Sequence, residues 1–146
     1  MKVKDILAHK GRSVLTVRPD TSVVTLVHRL ALERVGALVV SEDGVYVAGI
    51  VSERDVVGVL AERGVEALEP SLHVDDIMTR HVHTCTPEDS IKEVMGVMTR
   101  SRIRHLPVIE GGRLAGIVSI GDVVKNRLEE VELEANVLRE AYIALD

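Results

Sequence analysis

Apolar positions recur at helical spacing in two separate stretches. Val23, Leu26, Val27 and Leu30 fall on one face of a helix, and so do Ile91, Val94, Met95 and Met98. Each stretch follows a proline–acid pair, Pro19-Asp20 or Pro87-Glu88, so Asp20 or Thr21 and Glu88 or Asp89 are the candidate cap regions. Short β-branched runs precede the helices, Val14 to Val17 and Val82 to Cys85, and others follow them, Ala37 to Val40 and Leu106 to Ile109. Turn residues come next, Glu42-Asp43-Gly44 and Glu110-Gly111-Gly112. A third apolar run, Val47 to Val51 or Leu114 to Val118, leads into a second helix from Arg54 or Gly121. The predicted order is β-α-β-β-α, twice.

The two halves also match residue by residue. Gly49-Ile50-Val51-Ser52-Glu53-Arg54-Asp55-Val56-Val57 returns 67 positions later as Gly116-Ile117-Val118-Ser119-Ile120-Gly121-Asp122-Val123-Val124. Pro19, Leu30 and Leu38-Val39-Val40 have counterparts 68 positions on, and Asp5-Ile6-Leu7 matches Asp76-Ile77-Met78 at 71. The drift in offset places the insertions and deletions in turns. Neither unit covers both faces of its own sheet, so the copies are expected to pack together as a pseudo-twofold α/β (α+β) module. The divisions are repeat 1 at 3–60, a linker at 61–73, repeat 2 at 74–127 and a C-terminal helix at 128–146. In that helix Leu128, Val131, Ala135, Leu138, Tyr142 and Leu145 form a short a/d seam. It packs either on its own module or, preferably, across a dimer.

Composition narrows the function. Nearly half of the 146 residues are hydrophobic, yet there is no Phe or Trp and only two Tyr. Single-strand nucleic-acid platforms stack bases on aromatic rings, so such a role is excluded. The formal net charge of −5 also argues against a nucleic-acid partner. A single cysteine, Cys85, permits no intramolecular disulfide. No apolar signal-like segment follows Met1-Lys2-Val3-Lys4-Asp5, and no run approaches the roughly 20 residues of a membrane helix. A cytoplasmic protein without a membrane partner is expected.

Three clusters carry candidate chemistry. Ser52 to Asp55 and Ser119 to Asp122 each sit where a strand meets a helix. Backbone N–H groups and a serine hydroxyl there suit a phosphate, and the aspartate suits ribose hydroxyls. The same residues also suit a plain helix cap. Arg100-Ser101-Arg102-Ile103-Arg104-His105 concentrates positive charge in an acidic chain. Arg100 and Arg102 read as a solvated helix end, while Arg104 and His105 sit at a strand mouth. Arg54 lies inside the first Ser-x-x-Asp element, where Gly121 stands in the second, so the two clefts are not equivalent. Finally, His81, His83 and Cys85 alternate along a predicted strand and offer an alternative zinc or redox site.

The doubled β-α-β-β-α unit, the Asp-Ile-Met opening, the Leu-Pro-Val strand and the Gly-Ile-Val-Ser-x-x-Asp element together resemble a tandem pair of CBS (cystathionine-β-synthase) domains, a Bateman module, over about residues 3 to 127. The resemblance implies a non-catalytic regulatory module. Its ligand would be an adenosine nucleotide, AMP foremost, or ADP, ATP, NAD(H) or S-adenosylmethionine. It further implies a homodimer that modulates a partner enzyme or transporter. Carried onto this chain, it assigns phosphate contacts to Arg104 and His105. It assigns an adenine slot to Val14 and Val82, with Ile50 and Ile117 nearby and the small Gly36 and Ala37 allowing close approach. The rival expectations are a metal- or redox-linked stress protein using His81, His83 and Cys85, and a structural interaction protein with empty clefts.

Overall fold

The computed structural model describes residues 1–145. Repeat 1 contains β1 (Thr16–Val17), α2 (Val23–Glu33), β2 (Ala37–Val40), β3 (Gly49–Ser52) and α3 (Glu53–Arg63), preceded by α1 (Val3–Lys10). Repeat 2 contains α5 (Ile91–Ser101), β4 (His105–Glu110), β5 (Arg113–Ser119) and α6 (Ile120–Ala144), preceded by α4 (Val74–Ile77). A 3-10 turn at Gly64–Leu68 connects them. The α+β class and the double repeat follow the sequence pattern.

The helices α2 and α5 begin one or two residues beyond the expected cap region. Ser22 Oγ accepts the Thr25 N–H at 3.2 Å, and Ser90 Oγ accepts the Glu93 N–H at 3.0 Å. Asp89, one of the expected caps, instead accepts the Thr86 N–H at 2.9 Å. Serine wins at both positions because its hydroxyl reaches the free N–H one turn on.

The sheets are smaller than expected. In repeat 1, β1 runs parallel to β2, pairing Thr16 with Val39 and Val17 with Val40, and β2 runs antiparallel to β3. In repeat 2, β4 and β5 form an antiparallel pair, and the predicted strand from Val82 shrinks to one bridge, Cys85 with Val108. Pro107 explains the loss. It stands where Val39 stands in repeat 1, and it has no N–H for the bond that would lengthen a parallel ladder. Its carbonyl still accepts the Cys85 N–H at 3.0 Å.

Each repeat's opening helix completes the other repeat's core. Val3, Ile6 and Leu7 of α1 are buried with Ile91, Val94, Met98, Leu106 and Val118 of repeat 2. Val74 of α4 is buried with Val17, Leu26, Leu38 and Val51 of repeat 1, with Ile77 and Met78 beside it. The backbone repeats the exchange. The Val3 N–H donates to Asp89 O at 2.9 Å, and its counterpart Val74 N–H donates to Thr21 O at 2.8 Å. Burying an aliphatic side chain of this size contributes about 1.5–3 kcal/mol, so neither half keeps its core without the other.

The helix α6 runs unbroken across residues 127 and 128. Only Val123 of it is buried, and the a/d seam is open, with Leu138 71% and Tyr142 72% exposed. The seam is therefore not packed on its own module. Among the described residues no helix is long and apolar enough to cross a membrane.

Candidate functional site

The crossed packing brings two strand mouths together. The Glu53 N–H donates to Gly36 O at 2.9 Å, and its counterpart Ile120 N–H donates to Arg104 O at 2.8 Å. Gly36-Ala37 of repeat 1 and Arg104-His105 of repeat 2 are thus equivalent corners. A Cβ on Gly36 would lie 3.5 Å from His105 Cε1, so the small corner makes room for the large one.

Between these corners lies an open cleft of about 1140 Å³. Of the expected ligand residues, Ser52, Arg54, Asp55, Gly36, Ala37, Val82, Arg104 and His105 line it, and Ile50 joins them. Val14, Ser119, Asp122 and Ile117 do not. Sequence reasoning placed Val14 and Val82 in equivalent slots, but only Val82 reaches the cleft, from the segment that Pro107 keeps out of the sheet.

Both Ser-x-x-Asp elements are helix caps. Asp55 Oδ2 accepts the Ser52 N–H at 2.8 Å and the Ser52 hydroxyl at 3.3 Å, and Asp122 Oδ2 accepts the Ser119 N–H at 2.9 Å. A cap uses one carboxylate oxygen, and among the described residues the Oδ1 atoms of Asp55 and Asp122 make no hydrogen bond. The two elements then diverge. Asp55 faces the cleft, whereas Asp122 is already paired with Lys10, whose Nζ lies 2.7 Å from Oδ2. Partial burial pushes the Asp122 carboxyl up, but the Lys10 ammonium and the Ser119 donors outweigh it and hold it below the usual aspartate value. The non-equivalence expected from Arg54 and Gly121 is thus joined by a tethered cation from α1.

His105 is half-buried at the centre of this arrangement. Desolvation lowers its pKa from the ordinary 6.5, Lys10 and Arg104 lower it further, and Asp122 and Glu53 oppose them. The net effect favours the neutral imidazole.

Among the lining residues to which the sequence assigned no ligand role, two are arginines. Arg34 and Arg102, counterparts 68 positions apart, both line the cleft. Arg102 is exposed at the end of α5, as expected of a solvated helix end, and also lines the cleft. Their signal was an arginine in both copies at a helix end where glycine is the usual choice.

The proposed metal alternative does not assemble. His81 and His83 line the cleft, but Cys85 is buried in the core of repeat 2. Desolvation, with Asp89 adding, pushes its thiol up to about 12. Alternate residues share a face only in a strand, and residues 82–84 form none. Among the described residues the one cluster with metal-ligating spacing is His73, Asp75 and Asp76. There Asp76 caps α4 by accepting the His73 N–H at 2.8 Å.

Comparison with known proteins agrees with this architecture. The family model described as "CBS domain" matches residues 3–62 and again 74–129. The mitochondrial CBS domain-containing protein CBSX3 of Arabidopsis thaliana is 38% identical over 97% of this chain and 71% of its own length. Several other curated relatives are longer, and this chain spans less than two thirds of them. Among solved structures, the CBS-domain containing protein ATU1752 of Agrobacterium tumefaciens superposes with a TM-score of 0.82 at 45% identity, covering 87% of this chain and 99% of that one. The CBS domain pair of protein MJ0100, in complex with 5′-methylthioadenosine and S-adenosyl-L-methionine, superposes with a TM-score of 0.73 at 25% identity, covering 86% and 98%. On its repeats, its fold and these likenesses, the chain belongs to the CBS domain family, as a tandem pair.

Proposed function

We propose that this protein is a non-catalytic regulatory module that binds an adenosine-containing ligand in the cleft between its repeats. The observation that carries this reading is the meeting, in one cleft, of Ser52, Arg54 and Asp55 from repeat 1 with Arg104 and His105 from repeat 2. The free Oδ1 of Asp55 accepts a ribose hydroxyl. Arg54, Arg104 and the start of α3 take the first phosphate. Adenine lies against Ile50, Ala37 and Val82, since the chain has no Phe or Trp on which to stack it. The MJ0100 complex supports an adenosine ligand for such a pair. The Ser119 and Asp122 element is secondary, because it lies outside this cleft and Lys10 already neutralises its carboxylate.

The reading extends to the assembly. From Val131 onward every described residue of α6 is exposed, and a helical stretch of that length is marginal in water unless something covers it. A second copy covers it in a homodimer. Ligand binding then favours one arrangement of the dimer and so alters a partner enzyme or transporter, to the extent that the two arrangements bind the ligand differently. A cytoplasmic setting fits the single buried cysteine.

Thermal unfolding against adenosine, AMP, ADP, ATP, NAD, NADH and S-adenosylmethionine tests the reading. A ligand at a hundred times its dissociation constant adds about 2.7 kcal/mol of stability. Asp55→Ala abolishes most of the shift, and Asp122→Ala leaves it nearly intact. A flat response to the whole panel, confirmed by calorimetry, rejects the ligand-binding reading in favour of a structural module with empty clefts.

A further inference from the structure

The residues around the cleft hold more positive charge than one phosphate can use. Arg34, Arg54, Arg102 and Arg104 line it, against the carboxylates of Glu53 and Asp55. Among the described residues none of the four guanidinium groups makes a hydrogen bond or ion pair with the protein, although the chain as a whole carries a net charge of −5. A terminal phosphate offers three acceptor oxygens, and each guanidinium fork matches two. Arg54 and Arg104 already meet that demand, which leaves Arg34 and Arg102.

Those two are set apart by their backbone. Arg34 has φ 55° and ψ 44°, and Arg102 has φ 54° and ψ 41°. They are the only non-glycine residues with positive φ among the described residues. Each ends its helix in the left-handed conformation that glycine adopts freely and a side chain disfavours. The helix dipole does not account for the choice at the end of α5, which already has Arg100 in its last turn. A disfavoured backbone kept at both symmetry-related positions, each with an arginine on the same cleft, points to use of the side chains.

We infer that Arg34 and Arg102 form a paired clamp for phosphates beyond the first, so that the cleft selects adenosine ligands with a chain of two or more phosphates over AMP and over the cationic sulfonium of S-adenosylmethionine. This rests on the adenosine-site reading above and deepens it. The cleft volume, somewhat above the usual range for small-molecule sites, accommodates such a chain.

Calorimetry with adenosine, AMP, ATP, S-adenosylmethionine and inorganic tripolyphosphate, on the full chain without magnesium, tests it. The expected result is ATP binding at least about tenfold more tightly than AMP, with measurable binding of tripolyphosphate alone. Arg34→Gly and Arg102→Gly each lower ATP affinity by about tenfold and leave AMP within about twofold. Both variants melt at or above the parent temperature without ligand, since glycine relieves the left-handed backbone. Equal affinity for AMP and ATP, tighter binding of S-adenosylmethionine than of ATP, or an ATP-to-AMP ratio unmoved by the glycine variants overturns the clamp while leaving the adenosine site standing. Failure of every adenosine ligand to bind overturns both.

Discussion

At the residue scale the most informative group is His105. It belongs to repeat 2, touches the Gly36 corner of repeat 1, and lies within the fields of Lys10, Arg104, Asp122 and Glu53. Its pKa is depressed in the fold, so the unfolded chain binds protons more readily as pH falls below 6.5. The stability tied to its neutral form is complete above that value. It declines as pH falls through the interval down to the folded-state pKa, and the loss then levels off. A phosphate in the cleft reverses the preference, because an anion beside the imidazole favours the charged form. Nucleotide binding is therefore expected to take up a proton at pH values above the depressed pKa that His105 has in the free fold. Calorimetry in buffers of differing ionisation enthalpy measures the uptake directly. His105→Gln should remove it, while the same uptake persisting in that variant would overturn the role given to His105.

At the scale of elements, the exchanged opening helices set what each repeat tolerates. Gly49 and Gly116 are counterparts, and each is roofed by the other half's opening helix. A Cβ on Gly116 would lie 2.7 Å from Leu7 Cδ2, the mobile end of a side chain. A Cβ on Gly49 would lie 2.7 Å from Met78 Sδ and also 2.8 Å from Thr79 O. That carbonyl is fixed, since it accepts the Ile50 N–H at 3.0 Å while the Thr79 N–H donates back to Ile50 O at 2.9 Å. Gly49→Ala should therefore cost more than Gly116→Ala, within the roughly 1–3 kcal/mol range of overpacked cores, as read by urea denaturation. Equal losses would mean that the bridge at Thr79 yields as easily as a leucine methyl. The repeat itself was legible because Gly49 to Val57 and Gly116 to Val124 match in order. The exchange was not, because Ile6 and Leu7 fit an apolar slot in either half equally well. The cleft was legible where a residue type announced itself, as in Ser52, Asp55, Arg104 and His105. It was misread where backbone decided: Pro107 removed the strand that would have aligned His83 with Cys85, and the left-handed caps turned Arg34 and Arg102 into cleft residues.

For the whole molecule, the open face of α6 is the feature that the single chain leaves unresolved in energy. Val123 anchors its start, but Val131, Leu138 and Tyr142 meet no part of the same chain that buries them. An apolar seam on a helix end that would be marginal by itself implies burial elsewhere. If a second copy supplies it, deletion of residues 131–146 separates assembly from folding. The cores of both repeats lie outside the deleted segment, so far-ultraviolet dichroism of the remaining chain should fall only by the helix removed. Sedimentation should then change from dimer to monomer. The cleft is lined entirely by residues before 121, so on the proposed function the truncated chain should still bind an adenosine ligand. A truncated chain that stays dimeric would move the interface to other exposed apolar residues, such as Leu32 and Val57 on α2 and α3. A truncated monomer that has lost ligand affinity would show instead that the cleft depends on the partner subunit to hold its shape.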